Sequence, residues 1–126
     1  MKVLVVDDER DVQSLFTQRF RKEIRDQKVE FTFAFAAEEA LNYLNRNDNE
    51  KLLVLSDINM PGISGLELLQ RIRQKKYDHP PVVVMVTAYG DNDNYLHALQ
   101  LGADDFLTKP LDFNLLKEKL KNLNYG

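Results

Sequence analysis

Met1-Lys2-Val3-Leu4-Val5-Val6-Asp7-Asp8 is an aliphatic run that ends in two carboxylates, and the same design recurs along the chain. Leu52-Leu53-Val54-Leu55 leads into Ser56-Asp57, Val82-Val83-Val84-Met85-Val86 into Thr87, and Phe106-Leu107-Thr108 into Lys109-Pro110. Continuous aliphatic runs mark parallel strands buried on both faces, and open α/β sheets bind ligands beyond their carboxyl edge. Three aspartates, a threonine and a lysine are therefore expected to converge on one edge of one sheet. Holding them together is costly unless a cation and an anion complete the group.

Between these runs the apolar spacing changes to that of helices. Strands are predicted near 2–7, 31–35, 52–57, 82–87 and 105–108. The first helix carries Val12, Leu15, Phe16, Phe20 and Ile24 on one stripe, and the second carries Ala37, Ala40, Leu41 and Leu44. The third opens on Ser64-Gly65-Leu66-Glu67, a capping-box pattern, and continues through Leu68, Leu69 and Ile72. The fourth starts within Asp91 to Asn94, presents Tyr95, Leu96, Ala98 and Leu99, and stops at Gly102. Asp112 is placed to cap the fifth, with Leu115, Leu116, Leu120 and Leu123 on its apolar side. Strand–helix alternation implies right-handed crossovers and a parallel sheet covered on both faces. Phe31-Thr32-Phe33-Ala34-Phe35 alternates more than the other runs and belongs at an edge, which gives the order 2-1-3-4-5. Strands 1 and 3 then meet at the switch point where a crevice forms. No linker, repeat or low-complexity segment interrupts the chain, so residues 1–126 are expected to form a single domain.

The 126 residues are 44% hydrophobic and 29% charged, with a formal net charge of -3 and no cysteine. That balance disfavours a dedicated nucleic-acid binder, which normally carries a basic face. There is no disulfide framework and no thiolate metal site, in keeping with the cytoplasm. No apolar run approaches the ~20 residues of a membrane span, and Met1 leads straight into a strand without a signal-peptide pattern. Two basic stretches, one from Arg19 to Lys28 and one from Arg71 to Lys76, read as solvated helix faces or as docking surfaces for an acidic partner.

Val5-Val6-Asp7-Asp8-Glu9, Ser56-Asp57-Ile58-Asn59-Met60-Pro61-Gly62, Val86-Thr87-Ala88 and Gly102-Ala103-Asp104-Asp105-Phe106-Leu107-Thr108-Lys109-Pro110 occur in order, spaced by whole βα units. Through them the chain, from Met1 to about Leu123, resembles the receiver domain of two-component response regulators. The resemblance implies a flavodoxin-like, doubly wound (βα)5 fold. It also implies a phosphoacceptor switch rather than a turnover enzyme. Asp57 would take a phosphoryl group from a sensor histidine kinase, a histidine phosphotransfer protein or a small phosphodonor. A carboxylate of ordinary pKa ~3.9 is ionised at neutral pH and needs no general base. Carboxylates without Cys or His favour Mg²⁺ over zinc, with Mn²⁺ as an alternative. By resemblance Asp8 and Asp57 ligate the cation directly, Asp7 acts through water, and Asn59 lends its backbone carbonyl. Lys109 would offset charge on the transferring group, the Thr87 hydroxyl would bond a phosphoryl oxygen, and Gly62 and Gly65 suit a tight loop beneath the site.

The resemblance carries further expectations. Phe106 is the aromatic that would move as Thr87 moves; lacking a hydroxyl, it would switch by packing alone. The face of the fourth helix, fifth strand and fifth helix would be the output surface. Dimerisation through paired charges there is not indicated, because Leu111-Asp112-Phe113-Asn114 supplies no basic partner. Asn59 and Tyr89 would flank the hydrolytic water and set the lifetime of the phosphoryl group. The Lys109-Pro110 bond is expected to be cis. No nucleic acid or membrane is implied as a direct partner, and His79 and His97 have no Ser or Cys partner pattern.

Each residue alone also has a plainer role. Asp7 or Asp8 could cap the first helix, Asp57 be a loop carboxylate, Thr87 a strand-end hydroxyl, Tyr89 an exposed aromatic and Lys109 a surface lysine. A constitutive interaction module that leaves the site unused is a rival for the whole chain. An aspartyl-phosphate phosphatase would want a second acid where Asn59 stands, and a flavin carrier would want a phosphate-cradling loop where Asp7-Asp8 stands.

Overall fold

A computed structural model describes residues 1–88 and 90–123. Its strands are β1 (Lys2–Val6), β2 (Glu30–Ala34), β3 (Leu53–Asp57), β4 (Val82–Ala88) and β5 (Asp105–Lys109). They form one parallel sheet of order β2-β1-β3-β4-β5, with the alternating strand at an edge as expected. Val6 pairs with Ser56, Asp57 with Val86, and Ala88 with Lys109. This register carries the residues after β1, the end of β3 and the ends of β4 and β5 to the same edge.

The helices are α1 (Asp11–Arg19), α2 (Arg21–Arg25), α3 (Ala37–Arg46), α4 (Gly65–Gln74), α5 (Asn92–Gln100) and α6 (Phe113–Asn122). Side chains alternate across each strand, so the sheet divides the core in two. Leu4, Val6, Val54, Val83 and Met85 face α3, α4 and α5 through Leu44, Leu68, Leu69, Ile72 and Ala98. Val3, Val5, Leu53, Leu55, Val84 and Val86 face α1 and α6 through Phe16, Phe20, Leu116 and Leu120. Burying one such side chain contributes about 1.5–3 kcal/mol.

The helix expected to run through Ile24 breaks into α1 and α2. Phe20 leaves helical geometry at φ -106°, ψ 19°. The turn places its ring 4.9 Å from Phe31 and 6.1 Å from Phe113, an aromatic cluster that spacing along one helix does not reveal. Other ends follow the sequence closely. Ser64 Oγ accepts from Glu67 N at 3.2 Å, while the Glu67 carboxylate turns to Arg71 instead of closing the capping box. Asp112 Oδ1 accepts from the Asn114 and Leu115 amides at 3.0 and 3.2 Å. Gly102, at φ +94°, ends α5 in a Schellman turn: its amide reaches Leu99 O and the next amide reaches Ala98 O. The stripe expected on α5 is divided, with Ala98 buried while Tyr95, Leu96 and Leu99 stay exposed. Lys109-Pro110 is cis.

Candidate functional site

The end of β3 buries Asp57 to 4% exposure, and the turn after β1 brings Asp7 and Asp8 beside it. One oxygen from each of these carboxylates lies within 4.8 Å of the others. Lys109 reaches across from β5 and donates from Nζ to Asp57 Oδ2 at 2.7 Å. The second Asp57 oxygen accepts from the Asn59 amide at 3.2 Å. Asp7 is tied by its own amide to Ala34 O at 3.1 Å and accepts the Glu9 amide on Oδ1 at 2.9 Å. Neither Asp7 nor Asp8 caps a helix: α1 begins after Arg10 with no side-chain cap.

The backbone under Asp57 depends on glycine. A Cβ on Gly65 would stand 2.1 Å from the Asp57 carbonyl oxygen and 2.7 Å from Ile58 Cα, so the first turn of α4 sits directly on the chain that carries Asp57. The Gly65 amide donates to Ile58 O at 2.8 Å. Gly62 turns the same loop at φ +75°.

Electrostatics follow from the crowding. Burial pushes the Asp7 carboxyl above the ordinary carboxylate range; the Asp57 charge adds to this, against the Glu9 amide and Lys109. Burial would lower the Lys109 ammonium, but its hydrogen bond and attraction to Asp57, with smaller help from Asp7 and Glu9, hold it above the usual lysine value. Three carboxylates facing one ammonium leave negative charge over. An all-oxygen set of converging acids fits a hard divalent cation, with Asp7, Asp8 and Asp57 able to hold it.

Thr87, next to last in β4, is 2% exposed, and among the described residues its Oγ1 has no hydrogen-bond partner. A buried hydroxyl left unpaired costs about 1–3 kcal/mol, so an acceptor or donor arriving here would be favoured. Phe106, on β5, is half-buried with its ring centroid 4.2 Å from that of Tyr95 on α5. Asn59 is exposed beside Asp57, and Tyr89 lies outside the described residues.

Two features escaped the sequence reading. Tyr95 as the partner of Phe106 needs α5 and β5 in place together. Arg73, read as part of a solvated face, is instead fully engaged. It donates to Gly102 O and Pro81 O at 2.9 Å each and to Asp104 Oδ2 at 2.7 Å. That Asp104 oxygen also accepts the Val83 amide at 2.7 Å. Asp104, set between the α5 glycine and β5, was the only local hint of such a partner.

The sheet order is flavodoxin-like, with an acid triad, a lysine and a buried threonine at its carboxyl edge. The family model for the response regulator receiver domain matches residues 3–121, and the chain belongs to that family of two-component systems. A "Chemotaxis protein CheY homolog" of Campylobacter jejuni is 35% identical over 124 residues, covering 98% of this chain and 92% of the relative. The response regulator PilR of Pseudomonas aeruginosa is 39% identical over 117 residues, 93% of this chain but 24% of that protein. A response regulator receiver domain protein from Clostridium thermocellum superposes with TM-score 0.82 at 29% identity, covering 96% and 91% of the two chains. Receiver domains are phosphoacceptor switches and generally bind Mg²⁺ at an acidic pocket. Among the described residues, no helix is long and apolar enough to cross a membrane.

Proposed function

We propose that residues 1–126 act as one receiver unit in which Asp57 accepts a phosphoryl group from a histidine kinase or histidine phosphotransfer protein. The observation that carries this is the buried Asp57 carboxylate held at 2.7 Å by Lys109, with Asp7 and Asp8 crowding the same point. A lone pair on an Asp57 carboxylate oxygen attacks phosphorus in line and forms an acyl phosphate. The donor N–P bond breaks, and its electrons stay on the imidazole nitrogen, which takes up a proton. Lys109 stays paired to the acceptor and offsets charge on the incoming oxygens, which is electrostatic preorganisation rather than covalent chemistry. Asp8 and Asp57, with Asp7 through water and the Asn59 backbone carbonyl, would hold Mg²⁺ or Mn²⁺. The cation supplies charge neutralisation at the phosphoryl oxygens when bound.

Transfer replaces the single carboxylate charge of Asp57 by a phosphoryl group that carries close to two. The orphaned Thr87 hydroxyl turns to it, Phe106 follows into the space released, and the α5–β5–α6 face changes shape for a partner or output domain. Asn59 and Tyr89 set how fast water removes the phosphoryl group. The chain is thus a switch that acts on itself rather than a turnover enzyme. A cytoplasmic setting goes with such phosphodonors, and no nucleic acid or membrane is contacted directly.

Intact-protein mass after incubation with acetyl phosphate and Mg²⁺ tests the reading. One phosphoryl adduct, lost with EDTA and in Asp57→Asn, is expected. No adduct in a protein that binds Mg²⁺ would favour a constitutive interaction module. Phe106→Ala should keep the adduct and weaken the phosphorylation-dependent gain in partner affinity; an unchanged gain would remove Phe106 from the switch.

A further inference from the structure

The loop that carries two of the three acids is held locally by the Glu9 amide on Asp7 Oδ1 at 2.9 Å, but the helix it enters has no side-chain cap. Arg10 stands at the start of α1 with φ -68° and ψ -22°, and its side chain makes no cap hydrogen bond. Asp8 is exposed at the top of this loop, where its own charge repels Asp7 and Asp57. The loop is nevertheless tied to the end of β2 at two points. On one side of Asp8, the Asp7 amide donates to Ala34 O at 3.1 Å. On the other, the Arg10 guanidinium lies over the ring of Phe35, 4.5 Å from its centroid. Ala34 and Phe35 are consecutive, so one short segment grips the chain on both flanks of Asp8.

We propose that the Arg10–Phe35 stack is a brace that positions Asp8 for divalent-cation binding. It rests on the cation site described above and makes Arg10 and Phe35 positioning residues, since neither offers a ligand atom. A contact of this type at an exposed site alters an equilibrium by about two- to fivefold.

Charge and brace predict opposite signs at Arg10. If the guanidinium mattered only as a nearby positive charge, its removal would tighten binding of a cation to an acidic pocket. If it is a brace, removal loosens Asp8 and weakens binding. Phe35→Leu removes the ring without changing charge and isolates the brace directly.

The experiment is a Mg²⁺ titration followed by the amide NMR shifts of residues 7–9 and 57–59, beside melting curves taken in EDTA. Wild type, Arg10→Met, Phe35→Leu, Phe35→Tyr, the Arg10→Met/Phe35→Leu double variant and Asp8→Asn are compared. The brace predicts Mg²⁺ affinity about three- to fivefold weaker in Arg10→Met and in Phe35→Leu, and no weaker again in the double variant. It predicts affinity near wild type in Phe35→Tyr, which keeps a ring face, and metal-free melting temperatures that stay together. Unchanged or tighter binding in Arg10→Met, or unchanged binding in Phe35→Leu, overturns the brace while leaving the cation site standing. A wild-type protein whose shifts ignore Mg²⁺ overturns both.

Discussion

Two carboxylates in this fold face a cation at 2.7 Å, Asp104 under Arg73 and Asp57 under Lys109, yet their surroundings differ in kind. Around Arg73 the donors and acceptors balance. Three nitrogens find two carbonyls and a carboxylate, and the carboxylate also takes the Val83 amide. Around Lys109 the balance fails: the ammonium pairs with Asp57, one of three clustered acids, and the Thr87 hydroxyl is left unpaired among the described residues. The first cluster joins the end of α4 to the chain between α5 and β5 and is complete in itself. The second leaves negative charge and a hydroxyl over. The hydrogen-bond inventory thus distinguishes a polar knot that closes on itself from one left open at the sheet edge.

The sharpest way to break this contrast is at Asp57. Asp57→Asn keeps the shape and should abolish the phosphoryl adduct in intact-mass measurements, with little loss of folding stability. An adduct that persists in the Asp57→Asn protein would move the acceptor elsewhere. Next in size is the complete knot. Arg73→Met leaves Asp104 and two carbonyls short of donors and should lower stability by roughly 2–3 kcal/mol, discounted for partial exposure. A urea midpoint unchanged from wild type would show that the knot is ornamental.

Smaller effects should come from the incomplete cluster. Asp7 has its carboxyl raised by burial and by Asp57, so the folded state binds its proton more tightly than the unfolded chain does. Its contribution is fully favourable only below the unfolded value and is lost as pH rises through the raised folded value. Asp7→Asn should therefore stabilise the metal-free protein slightly at neutral pH and weaken Mg²⁺ binding. It should also flatten the acid end of the stability–pH curve. A lower melting temperature in EDTA at pH 7 would count against this. Smallest is Thr87→Val, which replaces an unpaired hydroxyl by a methyl of the same shape. Stability should stay within about 0.5 kcal/mol or rise, while acetyl phosphate no longer alters the NMR shifts of Tyr95 and Phe106. A loss of 2 kcal/mol or more (roughly the cost of a buried hydrogen bond left half-made) would mean that the hydroxyl is paired.

Much of this arrangement is legible in the sequence because it rests on local patterns. The even alternation of Phe31-Thr32-Phe33 marked the edge strand, the aliphatic runs marked the central ones, and the order followed. Asp57, Lys109 and Thr87 were readable because each lies at or one residue before a strand end, and parallel register sends strand ends to one side. What was not legible depends on contacts between segments far apart in the chain. The break at Phe20 answers to Phe31 and Phe113, and Arg73 answers to residues 29 and 31 positions away. Helical spacing treated Tyr95, Leu96, Ala98 and Leu99 as one stripe, but α5 rests on the core through Ala98 alone among them.

Gly65 and Gly62 share one loop but should behave very differently in a saturation library. At Gly65 even a methyl group lands 2.1 Å from a backbone carbonyl oxygen, and that carbonyl belongs to Asp57 itself. At Gly62 a Cβ meets nothing within 4 Å, so the only demand is the φ of +75°, which Asn and Asp tolerate best after glycine. A selection for phosphorylation should thus return a single letter at position 65 and a small alphabet at position 62. The genetic tolerance of the loop would then be a readout of how closely α4 is seated on the backbone that carries Asp57.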